Sequence, residues 1–512
     1  MTQNERRSLP IWKRIVTLCI TLFVFAIQIY LFTLMFQINF YNQLNIVLYL
    51  VIECIGFIVV MHIIHKPILT SYKLTWSILI MLLPLPFTLL YMLNSSSRRL
   101  PRRKQKKFYS EMKKYSFDNG VIDELGLLDS KALKFARVLK DDYPVYKNTV
   151  YTFLRDGKEK FEDMLLEIKQ AEKYIFIETF IIGDGYLLSK LLPILEQKGE
   201  AGVEIKIIYD DLGSKATLKT KTLKRITNIP NCQITNYNPL GLNINPAFNY
   251  RDHRKITIID GKIAYCGGDN FADEYVHMKE RFGFWRDNCG KYYGDAVTTF
   301  IALFTEMWYM STQEILPLEN YYMDTGISRN SSFILPFGDG PSNQKNISYD
   351  VFRSLITGAD KTLYISTPYL VLDSNMLENI VLAAKSGVDV RILMPGIPDK
   401  KTAFYLARSN YRDILTAGGK IYEYSKGFNH AKNIIVDNKY AFIGTLNMDY
   451  RSLFLHYECG ALVLLDEEIK NMQNDFLKAC AESRQITYEE WKKRSLWQRL
   501  VAYILYLFAP LF

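Results

Sequence analysis

One short pattern, carried twice, constrains this 512-residue chain more than any other feature. The first copy runs Asn249-Tyr-Arg-Asp-His253-Arg-Lys255-Ile-Thr-Ile-Ile-Asp260 and continues to Gly267-Gly-Asp-Asn270. The second runs Phe428-Asn-His430-Ala-Lys432-Asn-Ile-Ile-Val-Asp437 and continues to Gly444-Thr-Leu-Asn447. In both, Lys follows His by 2 positions, Asp by 7, Gly by 14 and Asn by 17. The residues after each Lys are β-rich, and alternation along a strand puts His and Lys on one face. A second apolar strand follows each Asp, with Gly-x-x-Asn at its end. A His, a Lys and an Asn amide converging at strand ends suit a phosphate, supplying a nucleophile or acid, a cation and a donor.

The repetition extends beyond the pattern. Phe161 to Ala171 has helical spacing, Tyr174 to Thr179 reads as a strand, Leu187 to Gln197 as a helix and Gly202 to Asp211 as a strand. The same order returns in Phe352 to Ala359, Thr362 to Thr367, Met376 to Ala384 and Gly387 to Met394. The offset is 188 at Ala171/Ala359, 185 at Gly202/Gly387 and 177 at His253/His430. Two copies of one α/β unit are therefore expected, and strands alternating with helices imply a largely parallel sheet.

The twin H-x-K-x-x-x-x-D resembles the phospholipase D superfamily, and its surroundings are similar to bacterial cardiolipin synthases from about Tyr143 to Phe476. Trp285-Arg-Asp287, Ser366-Thr-Pro-Tyr369 and Asn447-Met-Asp-Tyr-Arg-Ser452 carry the likeness along with the motifs. Three polar departures stand out: Asn429 where an apolar residue is usual, Thr445 where Ser is common and His456 where Asn is common. None removes a His, Lys or Asp. The resemblance implies an α/β fold of two tandem phospholipase D-like halves around one shared active site. It implies that His253 attacks phosphorus to form a phosphatidyl-histidine, and that His430 protonates the departing alcohol and then activates the incoming one. It places Asp287 and Glu458 as carboxylates on the two imidazoles. The motif spacing is symmetric and does not itself choose between the histidines. Asp260 and Asp437 are expected to orient each motif and balance Lys255 and Lys432, while Asn270 and Asn447 bind the phosphate.

A phosphodiester site must neutralise charge and supply a nucleophile and a leaving-group acid. The motifs offer lysines and amides rather than an Asp/Glu/His cage, so no metal is expected. A G-x-x-x-x-G-K-[ST] loop is missing, and Gly267-Gly-Asp-Asn270 is too short for G-x-G-x-x-G, so no nucleotide or other cofactor is expected. That fits transesterification, in which one phosphodiester replaces another.

The rest of the chain points to a membrane. Ile15 to Phe36 carries no charge and is long enough to span a bilayer. Ile46 to Ile64 is a second apolar run around Glu53, for which packing or an interfacial position is expected, and Leu74 to Leu93 is a third, interrupted by Pro84 and Pro86. The stretch from Arg98 to Lys107 holds seven basic residues. The basic N-terminus and this cluster both favour the cytoplasm, which needs an even number of spans, whereas three full spans would put the cluster outside. The prolines point to a re-entrant or kinked third run. The net charge of +10 favours anionic partners. Seven Cys without C-x-x-C argue for a reducing compartment. Leu496 to Phe512 is apolar and aromatic, a docked helix or an interfacial segment.

The expected organisation is a membrane anchor over 1–95 with two to three N-terminal transmembrane helices and a basic linker over 96–142. Phospholipase D-like halves follow over 143–325 and 326–485, then an apolar tail over 486–512. The expected protein is a multi-pass enzyme of the bacterial cell membrane with a cytoplasmic catalytic domain. It would transfer a phosphatidyl group between two phosphatidylglycerol molecules and release glycerol. The competing readings are a phospholipase D-type hydrolase, a phosphatidyltransferase using another alcohol, a membrane-anchored nuclease and a non-enzymatic scaffold. The apolar runs disfavour nucleic acid as a partner, and the intact motifs disfavour the scaffold. Oligomeric state has no signature in the chain.

Overall fold

The computed structural model describes residues 43–66, 70–95, 120–239, 249–323, 325–327, 332–343 and 345–511, with single positions at 26 and 30. They fall into two compact units, one holding the described residues within 1–101, 240–250 and 504–512 and the other those within 102–239 and 251–503.

In the first unit, helices Gln43–His65, Thr70–Leu82 and Pro84–Ser95 pack on one another. Val60, Ile63, Trp76, Ile80 and Tyr91 form their shared apolar cluster, with the Trp76 and Tyr91 rings 5.3 Å apart, edge to face. The third apolar run is broken as its prolines foretell: Pro84 has no N–H to continue the preceding helix, and a new one starts there. Among the described residues no helix is long and apolar enough to cross a membrane. The expectation of N-terminal transmembrane helices thus finds no support in the described residues, and its first member, Ile15 to Phe36, lies outside them except at positions 26 and 30.

The second unit holds two large sheets. The first runs, in spatial order, Thr149–Leu154, Cys289–Gly294, Ile263–Gly267, Ile256–Ile259, Tyr174–Thr179, Glu204–Asp210 and Cys232–Tyr237. The second runs Phe333–Asp339, Glu458–Leu464, Tyr440–Gly444, Asn433–Val436, Thr362–Ser366, Asp389–Pro395 and Lys420–Tyr424, with Ser483–Ile486 added at the edge. Position by position the two orders match, so the repeat read from the sequence is a repeat of topology. The helices fall where the spacing predicts, within a few residues: Gly157–Gln170 and Tyr186–Glu200 in one half, Ile347–Thr357 and Ser374–Lys385 in the other. Each turns one apolar stripe inward, as in Phe161, Met164 and Ile168.

The sheets are not largely parallel. In the first, only Tyr174–Thr179 with Glu204–Asp210, and the latter with Cys232–Tyr237, pair in parallel. In the second, the corresponding pairs are Thr362–Ser366 with Asp389–Pro395 and Asp389–Pro395 with Lys420–Tyr424. Other pairs within the two large sheets are antiparallel. The motif itself decides this. Its two strands are joined by three residues, Asp260 to Lys262 or Asp437 to Lys439, and so short a link can only reverse the chain.

A single apolar cluster takes side chains from both sheets, among them Phe176, Ile256, Tyr364 and Ile435. Helices Val297–Thr312 and Glu468–Ala481 contribute to it, and each also reaches the edge strand of the other half. The halves therefore share a core and hold their motif ends in a fixed relation.

Candidate active site

Both motif histidines sit just ahead of their strands, on extended backbone tied to the opposite half. The His253 N–H donates to the Tyr457 carbonyl at 2.9 Å, and the His430 N–H donates to the Arg286 carbonyl at 2.7 Å. A short parallel ribbon, Phe284–Arg286 beside Gly427–Asn429, completes the seam.

The carboxylates cross the same seam. Nδ1 of His253 lies 2.8 Å from Oε1 of Glu458, and Nδ1 of His430 lies 2.6 Å from Oδ2 of Asp287. Each imidazole is thus held by a carboxylate of the other half, and neither half has a complete set alone. Both carboxylates are fully buried, while each histidine keeps 8% of its surface exposed. A ring held at Nδ1 keeps Nε2 for chemistry.

The local sequence explains how each carboxylate reaches its ring. Thr445, one of the departures, donates its hydroxyl to Oε2 of Glu458 at 2.5 Å. The matching position of the first copy is Gly268, where a Cβ would lie 2.2 Å from the Asp287 carboxylate. Asn429 is equally committed, donating to Ser366 Oγ and the Leu393 carbonyl and accepting from Arg286. His456, the third departure, lies beside His253 with ring centroids 5.4 Å apart.

Lys255 and Lys432 each donate Nζ to the carbonyl of their own motif histidine at 2.5 Å. Among the described residues neither has a carboxylate within ion-pair distance, so both remain available to an anion. Burial lowers both ammonium groups, that of Lys432 from 10.5 to about 8. Burial, followed by the charges of Lys255 and Lys432, holds His253 well below its ordinary 6.5, and burial with Lys432 does the same to His430. Burial also pushes Asp287 up to about 6 against the pull of Lys432. The site is a buried, cationic recess with two neutral imidazoles, an environment that favours an anionic group over a cation.

Other expected site residues are placed differently. Asp260 accepts the backbone N–H groups of Glu172, Lys173 and Tyr174 at 2.7–2.9 Å. Asp437 does the same for Asp360, Lys361 and Thr362 at 2.7–3.1 Å, and pairs with Lys131. These carboxylates do not balance Lys255 and Lys432. They tie the hairpin turn to the start of the neighbouring central strand, because each sits at the turn with positive φ, 52° and 51°, beside otherwise unpaired amides. Asn270 accepts from the Ile181 N–H at 3.1 Å and donates to the Tyr275 hydroxyl at 2.6 Å, so only part of its amide is open to a ligand. Asn447 is buried, with Oδ1 free of any hydrogen-bond partner.

Sequence reasoning misses several neighbours. Lys400 adds a positive charge felt by both rings. His430 is surrounded by Tyr275, Trp285 and Phe428, with ring centroids 5.4–5.7 Å away, while Phe180 stands 5.2 Å from His253. Trp285 and Phe428 stand in stretches the sequence already singles out, but nothing in the motif spacing marks any of these residues as facing a histidine.

Two α/β halves with a carboxylate-held imidazole from each define a phospholipase D-type enzyme. The family model "Cardiolipin synthase, PLD-like domain" matches residues 164–308 and 352–480. The chain is 34% identical to cardiolipin synthase 2 of Bacillus anthracis over 448 residues, which is 86% of this chain and 87% of that protein. It is 32% identical over 505 residues to a cardiolipin synthase of Geobacillus sp. WCH70, covering 97% and 99%. An uncharacterized protein of Streptococcus mutans is 35% identical over 88% of this chain. The solved phosphatidylserine synthase of Haemophilus influenzae shares the fold, with a TM-score of 0.57 at 16% identity over 73% of this chain and 97% of that one. The chain belongs to the cardiolipin synthase family of phospholipase D-like proteins and is an enzyme of the phosphatidyltransferase class.

Proposed function

We propose that the protein transfers a phosphatidyl group from one phosphatidylglycerol to the terminal hydroxyl of another, releasing glycerol and forming cardiolipin through a phosphohistidine. The crossed carboxylate–imidazole pairs carry this reading, since two oriented imidazoles in one cationic recess provide a nucleophile and an acid–base partner for a phosphodiester.

In the first step Nε2 of His253 attacks phosphorus while Lys255 and Lys432 hold the equatorial oxygens. Glu458 accepts the Nδ1 hydrogen and stabilises the charge that grows on the ring. His430 gives a proton to the glycerol oxygen as the bond to phosphorus breaks. The lysines depress the His430 pKa in the free enzyme, and an anionic phosphodiester beside it offsets them, so the substrate helps to charge its own acid. In the second step neutral His430 takes the proton of an acceptor hydroxyl, whose oxygen attacks the phosphohistidine and frees His253. Asn447, with its unpartnered oxygen, and the open part of Asn270 are assigned to substrate. Acceptor choice, water or an alcohol, separates this reaction from hydrolysis, and an aromatic surround at His430 favours a lipid-borne alcohol over water.

The substrate places the enzyme at the bacterial cell membrane. The apolar N-terminal residues 1–95 are assigned to anchoring, and 96–142 to contact with anionic headgroups. The helix Leu496–Phe508 exposes Leu496, Trp497, Leu500 and Tyr503, as an interfacial helix would. The motif-bearing halves are assigned to the cytoplasmic side.

The test is reconstitution. Phosphatidylglycerol with detergent-solubilised protein and EDTA, without CTP or CDP-diacylglycerol, is expected to yield cardiolipin and glycerol in equal amounts, and excess glycerol to reverse the reaction. Phosphatidic acid as main product would establish the hydrolase instead. Cleavage of DNA or RNA with lipid untouched would refute the lipid reading.

A further inference from the structure

We infer that His253, His456 and Glu458 form a binding site for one divalent cation of the zinc class, whose occupation silences the enzyme by taking the imidazole that attacks phosphorus. The inhibitory part rests on the assignment of His253 as nucleophile, whereas the binding part stands on geometry alone. One nitrogen from each imidazole and one oxygen of Glu458 lie within 4.8 Å of one another, and all three residues are buried.

The independent observation is His456. It is only 9% exposed, and neither ring nitrogen is within hydrogen-bond distance of a protein partner, Glu458 being the carboxylate whose charge it feels. Its nearest carboxylate oxygen, Oε1 of Glu458, is 3.7 Å from Nδ1, too far for a hydrogen bond. A buried imidazole with two idle nitrogens is unfavourable unless something takes a lone pair. The other two departures from the family pattern are fully explained by protein hydrogen bonds, and His456 is not. Its neighbour His253 is tilted by 43° against it, and Glu458 is fixed from behind by Thr445.

The donor set selects the class of ion. Two imidazoles and one carboxylate with an open fourth position match zinc and its borderline neighbours, cobalt and nickel. Magnesium and calcium require oxygen ligands, and only Glu458 offers them here. The charges of Lys255, Lys432 and Lys400 oppose a dication, so occupation is weaker than at a structural zinc site and reversible by chelation. His430 has no counterpart to this arrangement, since aromatic rings surround it where His253 faces His456. Binding involves no redox change. A neutral imidazole has one free lone pair, so an ion on either nitrogen of His253 leaves none to attack phosphorus, the ring proton then sitting on the other nitrogen, and any further proton displaced goes to solvent.

The experiment uses the untagged full chain in detergent. Zinc uptake by equilibrium dialysis and cobalt uptake by visible absorption are measured without lipid, and phosphatidyl transfer is measured against zinc concentration. Wild type is expected to bind one ion per chain, to lose transfer activity in step with binding and to regain it fully in EDTA. His456→Asn and His456→Gln, each compared with its own rate in EDTA and checked for the same thermal midpoint, are expected to need at least tenfold more zinc for uptake and for inhibition. Failure of wild type to take up one ion, or unchanged affinity in both folded variants, would overturn the site. Loss of activity in EDTA with recovery on adding zinc would overturn the inhibitory role. Because uptake is read without lipid, a protein that binds zinc but makes no cardiolipin would sink the proposed reaction and leave the site standing.

Discussion

Replacing Glu458 by Gln asks whether the carboxylate of the second half controls the histidine of the first. The carboxylate is fully buried and lies 2.8 Å from His253 Nδ1, with Thr445 on its other oxygen. A hydrogen bond to a charged group contributes about 1.5–3 kcal/mol. At 1.36 kcal/mol per factor of ten, that loss slows the attack on phosphorus by roughly 10- to 150-fold. The effect is larger where the amide nitrogen turns toward the ring, because it then donates to Nδ1 and the proton moves to Nε2, the nitrogen that must attack. The assay is rapid quenching with labelled phosphatidylglycerol, reading the phosphatidyl-enzyme and product separately. Glu458→Gln is expected to suppress adduct formation. In His430→Ala the adduct should lie on His253 and accumulate, weakly because the leaving-group acid is missing, and Asp287→Asn should slow its discharge. Adduct formation in Glu458→Gln within threefold of wild type would refute the crossed control. An adduct on residue 430 would reverse the division of labour.

The remaining predictions concern pH, stability and the turn carboxylates. The rate is expected to be bell-shaped, falling as pH drops through about 6, where Asp287 takes a proton, and as it rises through about 8, where Lys432 loses one. Lys432→Arg should move the alkaline limb upward in kcat/KM, and an unmoved limb would assign it to another group. Lys432 is buried, and its folded-state pKa lies below the unfolded value, so its charge costs stability below about 8 and the cost fades between about 8 and 10.5. Lys432→Met should therefore abolish transfer while raising stability by up to ~3 kcal/mol at pH 7, and denaturant unfolding that shows a loss would contradict this. Asp260→Asn and Asp437→Asn should each lower stability by about 1–3 kcal/mol while the folded fraction keeps its kcat. A full loss of kcat with unchanged unfolding would return these residues to the chemistry.

The division between what is local and what is folded follows from the range of each signal. Periodic apolar residues and a repeated spacing are short-range, so the two α/β halves, their helices, the motif strands and the six residues His253, Lys255, Asp260, His430, Lys432 and Asp437 are legible in the chain. The link of three residues at each hairpin is also written there, and reading it would have warned that the sheets are mixed. The job of Asp260 and Asp437 is not legible, because their amide partners lie 75–88 positions away, at the start of the neighbouring strand. The same holds for the pairing of rings and carboxylates. A symmetric pair of motifs permits either assignment, and only the packing of the halves puts Glu458 on His253 and Asp287 on His430. Sequence presents His456 as a mere substitution. Its two nitrogens, out of reach of a protein partner, come to lie beside His253 only because the two halves meet there.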